Sequence, residues 1–191
     1  MSNLNHHSTC SSKAYRIIFC ILLICLAASL RFSHLGDADF GIDEILQVYA
    51  AQGILHGGPP MLPSGLEYER GLPFSYLVAI AGYFGGVNEF ALRLPSAILG
   101  VFVVFFVYWL TARWYSLTAG FVAAFFTAFS PIQIAHSREV RMYMLFQLLF
   151  LLTMFFFYEG FETTSPKNRN NSQSPSLRKW LEIYQIRPLF L

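Results

Sequence analysis

The sequence predicts an all-α polytopic membrane protein with about four transmembrane helices. Hydrophobic residues make up 55% of the 191-residue chain and charged residues only 13%, whereas a soluble domain carries about 25% charged residues. Several charge-free runs approach the roughly 20 residues that a spanning helix needs. The net charge of +2 and the lack of a basic run interleaved with aromatic residues argue against a nucleic-acid partner.

The predicted spans follow the charge-free runs in chain order. They cover about residues 15–33, 93–112, 116–135 and 142–158. The first run, Ile17–Leu30, is short, but Arg16 and Arg31 can extend toward the two membrane surfaces and lengthen it. Lys13 before this run and Ala27-Ala28-Ser29 at its end also resemble a cleavable signal peptide. A retained helix and a cleaved signal both stay open.

A further apolar run, Gly71–Asn88, is predicted to lie along the membrane surface instead of crossing it. Its glycines and Pro73 weaken a continuous helix. If this run crossed the membrane, the basic segment Lys167–Lys179 would fall outside, although basic residues favour the cytoplasmic side. We therefore expect a large outer loop over residues 34–92 that contains a pair of interfacial helices.

Beyond the fourth span the composition becomes polar. Ser, Asn and Pro residues over 161–180 predict a flexible cytoplasmic linker. Residues 181–191 resemble the start of an incomplete fifth span. Residues 1–160 are then expected to be the N-terminal part of a larger membrane domain.

The outer loop contains an acidic pair, Asp43-Glu44, directly after the first span. Carboxylates beside hydrocarbon are costly, and they often mark a functional site. The pair also opens the apolar-periodic stretch Ile45–Leu55, where acids in the first turn would stabilise a helix through its dipole. A catalytic role and a purely structural role are both compatible with this pattern.

Arginines gather on the same predicted side. Arg138 and Arg141 are three residues apart and would share one face of a helix at the mouth of the fourth span, and Arg93 begins the second span. Their forked donors suit a lipid phosphate; alternatively, they extend to the surface and pair with Glu139 or loop acids. One carboxylate as a base and arginines for a departing phosphate would suit transfer of a lipid-linked phosphosugar, although transporters also gather buried charges.

Four segments occur in order along this outer side. They are Phe40-Gly41-Ile42-Asp43-Glu44, Leu62–Gly71, Ala91–Ser96 and Ser137–Tyr143. Together they resemble the membrane glycosyltransferases of the C-type fold, and within them the protein O-mannosyltransferase and aminoarabinose transferase group (family 39-like). The resemblance covers roughly residues 15–160.

The resemblance implies an inverting transfer of a sugar from a polyprenyl-phosphate donor on the outer side of the membrane. Asp43 would be the catalytic base, and Glu44 would complete the acidic pair. The segment Tyr68-Glu69-Arg70 would lie near the donor pocket, and Arg93 matches a functional arginine at the start of the second helix. The predicted phosphate ligands are therefore Arg70, Arg93, Arg138 and Arg141, and the predicted substrate-binding residues are Tyr68 and Glu69.

The sequence departs from this family in two ways. In the aminoarabinose enzymes the acidic–basic pair is followed at once by proline, whereas here Gly71 and Leu72 precede Pro73, which leaves the placement of Arg70 open. Family members also carry more helices and often a soluble outer domain. We therefore expect a truncated form of the fold that is inactive alone, and a non-catalytic membrane subunit or transporter fragment is the alternative.

The resemblance also sets the expected partners and location. They are membrane lipid, a polyprenyl-phosphate sugar as donor, and a protein, lipid or glycan acceptor, at a bacterial inner membrane with the active face outward. No cofactor is identified with certainty, and the lipid-linked sugar phosphate is expected as the donor substrate. Dependence on a divalent metal is left open. His34, His56 and His136 lie on the outer side, but their spacing is not that of metal ligands.

Overall fold

The computed structural model describes residues 5–162, with side chains over residues 17–160. In this part of the chain the regular elements are helices, and Met61 and Glu67 form an isolated bridge. The helices are α1 (Asn5–Phe32), α2 (Ile42–Leu55), α3 (Leu72–Gly85), α4 (Glu89–Trp114), α5 (Leu117–Phe129), α6 (Pro131–Ser137) and α7 (Tyr143–Glu162). The predicted all-α membrane fold is confirmed.

The described part of the chain contains two or three candidate membrane spans together with shorter apolar helices. Two described helices are long and apolar enough, α4 and the Tyr143–Gly160 part of α7, or three if α5 and α6 together count as one bent span. The first of the predicted spans lies in α1, whose part with described side chains forms a shorter apolar helix, Ile17–Phe32.

The predicted third span, residues 116–135, is broken in the structure. Helix α5 ends at Phe129, Ser130 is extended with ψ 119°, and α6 starts at Pro131. The two helices are bent by 62°. Proline lacks a backbone N–H and disfavours a helical conformation at the residue before it, so the chain turns here while still inside the apolar run.

The outer loop folds into a helical pair, α2 and α3, that packs against α4. Its apolar core consists of Val48, Ala51, Phe74, Val78, Ala79, Leu92 and Val140. Inside this core the amide of Gln47 donates a hydrogen bond to the Ser75 hydroxyl over 2.6 Å, which joins α2 to α3. The α2–α3 helical pair forms one side of the site described below.

A second apolar cluster joins α1, α4 and α5. It consists of Leu23, Ala27, Val104, Ala124 and Ala128. Gly120 permits close packing of α5 on α4, since a Cβ there would lie 2.8 Å from the Ala112 Cβ and 2.9 Å from the Tyr108 carbonyl oxygen. Small side chains therefore set the distance between these helices.

The chain divides into two units, residues 1–151 and 152–191. Of the second unit the structure describes the C-terminal part of α7, which ends at Glu162. The predicted linker, 161–180, therefore begins inside the end of this helix. The rest of that linker and the predicted start of a fifth span at 181–191 lie outside the described residues.

Candidate active site

A buried ion pair joins the start of α2 to the first turns of α4. The Glu44 carboxylate accepts hydrogen bonds from Arg93 through both oxygens, Nε to Oε1 over 3.0 Å and Nη2 to Oε2 over 2.8 Å. Each residue is only 5% exposed. Asn88 caps α4 by accepting the Ala91 N–H over 2.9 Å, which fixes the turn that carries Arg93.

Two backbone groups complete the surroundings of the Glu44 carboxylate. The Gly41 N–H donates to Oε2 over 2.8 Å, as an N-cap residue does toward the third helical position, and the Val140 N–H donates to Oε1 over 2.7 Å. Burial alone would raise the pKa of Glu44, but the hydrogen bonds from Arg93, Gly41 and Val140 outweigh it, and the pKa lies below its ordinary value. Glu44 is therefore a charged anchor between α2, α4 and the loop before α7.

The Arg93 guanidinium is saturated by the protein. Two of its five N–H donors bind Glu44. The other three donate to the backbone carbonyls of Leu35, Ala38 and Asp39 over 3.0, 2.8 and 3.1 Å. Because every donor has an acceptor, Arg93 has no N–H left for a phosphate in this arrangement. The phosphate contact predicted for Arg93 from the sequence does not fit this geometry.

Asp43 lies next to Glu44 in the first turn of α2 but faces solvent. Its backbone carbonyl accepts a hydrogen bond from Nη1 of Arg141 over 2.9 Å. No hydrogen bond reaches its carboxylate from any residue within the described part of the chain. The acidic pair is thus divided, with Glu44 buried and saturated and Asp43 open beside an arginine.

Arg141 is the centre of the open part of the site. Its Nη2 donates to the Tyr143 hydroxyl over 3.0 Å, and its guanidinium lies 5.3 Å from the centre of the same ring. Burial works against the charge, but the Tyr143 hydroxyl and the nearby Tyr68 and Asp43 raise the pKa of Arg141 above its usual value. Arg141 therefore stays a cation next to Asp43.

Two buried polar atoms here lack a partner among the described residues. They are Nε of Arg141 and the hydroxyl oxygen of Tyr68, and Tyr68 as a whole is only 5% exposed. Buried donors are almost always hydrogen-bonded in folded proteins. A donor pair without partners beside an exposed carboxylate is what a site for a polar ligand requires.

A left-handed glycine brings the Tyr68 segment to Arg141. Tyr68 is held by its N–H, which donates to the Pro60 carbonyl over 2.7 Å. Three residues later Gly71 has φ 66°, and a Cβ there would lie 2.8 Å from the Met142 Cβ. Only glycine meets both demands, since φ is positive and the approach is close. The neighbours of Tyr68, Glu69 and Arg70, are exposed and make no ion pair with another described residue.

Arg138 and Arg141 do not share a helical face, contrary to the sequence expectation. Helix α6 ends at Ser137 and α7 begins at Tyr143, so both arginines lie in the loop between them. The Val140 N–H, which a continuing helix would use internally, is taken by Glu44. Arg138 contacts the turn that follows α1, where its Nη2 donates to the His34 carbonyl over 3.1 Å.

A comparison with protein-family models shows to which family the chain belongs. The family model of the dolichyl-phosphate-mannose-protein mannosyltransferases matches residues 69–169, more than half of the chain. The chain belongs to this family. No curated protein and no solved structure matches it. The predicted family resemblance is confirmed, and with its apolar helices the chain is a membrane member of a glycosyltransferase family.

The family match covers much of the site but not all of it. Tyr68 and the acidic pair precede the matched range, whereas Glu69, Arg93 and the Arg138–Tyr143 loop lie inside it. For metals, no group of three His, Cys, Asp or Glu converges within the described residues. Two histidines there pair with acids, His34 with Asp37 at 2.5 Å and His136 with Glu139 at 3.8 Å.

Sequence reasoning missed two participants in this site. One is Tyr143, whose hydroxyl accepts a hydrogen bond from Arg141. Its position two residues after Arg141 was the sequence feature that could have indicated this contact. The other is the backbone N–H of Val140, for which the sequence carries no signal because any residue except proline has one. Both lie in the loop that brings Arg141 to Asp43.

Proposed function

We propose that this chain contributes the catalytic base and part of the donor-phosphate site of a glycosyltransferase. The enzyme would transfer a sugar from a polyprenyl-phosphate donor to an acceptor hydroxyl on the non-cytosolic side of the membrane, with inversion. One observation carries the proposal. The exposed Asp43 lies beside Arg141, whose buried Nε and the nearby buried Tyr68 hydroxyl have no partner among the described residues.

The proposed reaction is a single displacement. Asp43 takes the proton of the acceptor hydroxyl, whose oxygen attacks the anomeric carbon from the side opposite the phosphate. The bond between that carbon and the phosphate oxygen breaks, and the polyprenyl phosphate leaves with the electron pair. Because this leaving group is already an anion, it needs cations and hydrogen-bond donors instead of a general acid. Arg141 supplies the charge, and the Tyr68 hydroxyl supplies a further donor.

Glu44 and Arg93 take a different role from the one predicted. Both are buried and their hydrogen-bonding capacity is filled, so we assign them to positioning. Glu44 lies in the same helical turn as Asp43 and also holds the Val140 N–H. The pair therefore fixes Asp43 relative to the loop that carries Arg141.

Three further predicted residues are placed at the rim of the site. Glu69 and Arg70 follow Tyr68 directly and are exposed, so they are free to approach the sugar and the phosphate. Arg138 has one donor engaged with His34 and keeps others for the lipid phosphate. These roles are secondary to that of Arg141, which contacts the backbone of Asp43.

The α2–α3 pair would lie in the membrane surface on the same side. Its exposed residues include large apolar side chains and three tyrosines, Tyr49, Tyr76 and Tyr83, with Tyr83 75% exposed. Tyrosine is enriched where hydrocarbon meets water, and helix α3 contains no charged residue. This placement would bring Asp43 and Arg141 to the level of lipid phosphates, in what we propose is a bacterial inner membrane.

The phosphate site is tested by binding of farnesyl phosphate to the chain in non-ionic detergent. Removal of a hydrogen bond to a charged group costs about 1.5–3 kcal/mol, so Arg141→Ala should weaken binding by roughly 10- to 150-fold. Tyr68→Phe should weaken binding in the same direction without loss of thermal stability, because its hydroxyl has no partner among the described residues. Tyr76→Phe, on the exposed face of α3, is the matched control. Equal affinity in all four proteins would overturn the phosphate assignment.

The base is tested separately by sugar transfer in membranes that contain the complete enzyme. Asp43→Asn should lower the transfer rate by about 10²–10⁴-fold while farnesyl phosphate binding is kept. Asp39→Asn, a nearby exposed acid, is the control and should leave the rate unchanged. Wild-type transfer by the Asp43→Asn enzyme would remove Asp43 from the role of base.

A further inference from the structure

A second buried arginine, Arg31, is not used by the proposed reaction. It lies in the last turn of α1 and is 0% exposed. It forms no salt bridge with an acidic residue in the described part of the chain. Its Nη1 donates to the carbonyls of Ala27 and Ala128 over 3.1 and 3.3 Å, and its Nη2 donates to the Thr127 carbonyl over 3.4 Å. The cation is therefore held by backbone carbonyls.

The break before α6 explains why the carbonyls of Thr127 and Ala128 at the end of α5 are available. In a continuous helix the N–H of residue 131 would donate to the Thr127 carbonyl, but residue 131 is proline and has no N–H. The last carbonyls of a helix need an outside donor, and they form the negative end of its dipole. Arg31 supplies both the donors and the positive charge. It replaces the hydrogen bond to the Thr127 carbonyl that Pro131 removes.

The same arginine packs where α1, α4 and α6 meet. Gly100 of α4 leaves the space, because a Cβ there would lie 2.5 Å from the Ser137 Cβ and 3.0 Å from Nε of Arg31. Ser137, the last residue of α6, is 0% exposed. The end of α6 is thus enclosed between Gly100 and Arg31 directly before the loop of the active site.

We propose that Arg31 is a positioning residue for the glycosyl-transfer site. It fixes the bent α5–α6 pair, and through the end of α6 it sets the loop whose Val140 N–H binds Glu44 and whose Arg141 binds the Asp43 carbonyl. The functional part of this inference rests on the proposed function. The structural part, that Arg31 replaces the donor missing at Pro131, stands on its own contacts.

The structural part is tested with spin labels on exposed positions 42 and 135, in a protein whose Cys10, Cys20 and Cys25 are replaced. The wild-type protein should give a narrow distance distribution. Arg31→Met, which keeps the length but loses the donors, should shift or broaden it, and Arg31→Lys should restore it in part. Leu23→Ala, a cavity on the buried face of the same helix, is the matched control and should keep the narrow distribution.

A double-mutant comparison tests the link to the helix break. In the Pro131→Ala variant the new N–H can donate to the Thr127 carbonyl. Addition of Arg31→Met to this variant should therefore lower the melting temperature by less than half as much as Arg31→Met lowers it in the wild-type protein. An equal loss in both backgrounds would overturn the inference that Arg31 replaces the missing donor. An unchanged label distance in Arg31→Met would overturn the positioning of α6.

The functional part is tested by farnesyl phosphate binding. Small misplacements of a positioned group cost up to about 100-fold, and we expect Arg31→Met to weaken binding by about 10-fold or more while Leu23→Ala leaves it within twofold. Equal weakening by both would mean that general destabilisation is the cause, and it would overturn the positioning role. If Arg141→Ala kept full affinity, the proposed function would fail instead, and the label distances would still decide the role of Arg31.

Discussion

Glutamine at position 44 would keep the shape of the glutamate side chain but remove its charge and half of its acceptors. The Glu44 carboxylate receives four hydrogen bonds, two from Arg93 and one each from the N–H groups of Gly41 and Val140. An amide offers one oxygen, and its NH₂ group would face two of these donors. The substitution therefore places donors against donors at the junction of α2, α4 and the loop before α7.

The expected cost follows from this geometry. Loss of one partner from a buried ion pair typically costs about 3–5 kcal/mol, because the other charge stays buried and unpaired. Glu44→Gln should fall in this range, since Arg93 keeps its three carbonyl contacts but loses its counter-charge. Each 1.4 kcal/mol is a factor of ten, so the unfolding equilibrium should change by a factor of roughly 140 to 4,000.

The assay is unfolding of the purified chain in mixed micelles of mild and denaturing detergent. Glu67→Gln, an exposed glutamate of the same outer loop, is the matched control and should stay within about 0.5 kcal/mol of the wild type. The double variant Glu44→Gln/Arg93→Met should cost less than the sum of the two single variants, because the residues act on each other. A cost below about 1 kcal/mol for Glu44→Gln would refute the anchor role.

The same pair predicts a dependence of stability on pH. The folded pKa of Glu44 is lowered, so the unfolded chain binds more protons than the folded chain between the two pKa values. The stabilisation is fully present above the unfolded value of about 4.3 and is lost as pH falls through the folded pKa. The difference in stability between wild type and Glu44→Gln should shrink in this acidic window. A difference that stays constant from pH 7 to below pH 4 would contradict it.

Two further substitutions probe the loops around the site. Gly71→Ala should destabilise the fold by more than Gly65→Ala, since both glycines have positive φ but only Gly71 also approaches Met142; backbone strain alone is worth about 1–2 kcal/mol, and equal unfolding midpoints would contradict the close approach. Arg138→Ala should weaken farnesyl phosphate binding less than Arg141→Ala does, because Arg138 lies at the rim of the site and contacts His34. A binding titration in which Arg138→Ala had the larger effect would mean that Arg138 is the main phosphate ligand.

The helical elements of this protein were predictable because each depends on local sequence. The apolar run that became α4 is long, and the predicted span 93–112 lies inside the observed helix Glu89–Trp114. The break at Pro131 was also visible, but the apolar run continues through it, and hydropathy does not show a bend. The prediction of one helix over 116–135 followed hydropathy and did not include the break that proline introduces.

The partners within the site were less predictable because they are far apart in sequence. Glu44 and Arg93 are 49 positions apart, and neither neighbourhood indicates that the two side chains saturate each other. The i, i+3 spacing of Arg138 and Arg141 indicated a shared helical face, yet α6 ends at Ser137, and the Val140 N–H in the loop that follows donates to Glu44. A sequence suggests which charges lie on one side of a membrane, whereas the fold decides which of them are free.

The central claim is that Asp43 and its arginine partner face the non-cytosolic side of the membrane. Single cysteines are placed at position 43 and at position 138, which lies in the same loop as Arg141, in a protein without native cysteines. They can be labelled with a membrane-impermeant maleimide in intact spheroplasts. The account predicts that both react from outside, whereas a cysteine at Arg113, in the last turn of α4, reacts only after the membrane is opened. Protection of position 43 together with outside labelling of position 113 would contradict it.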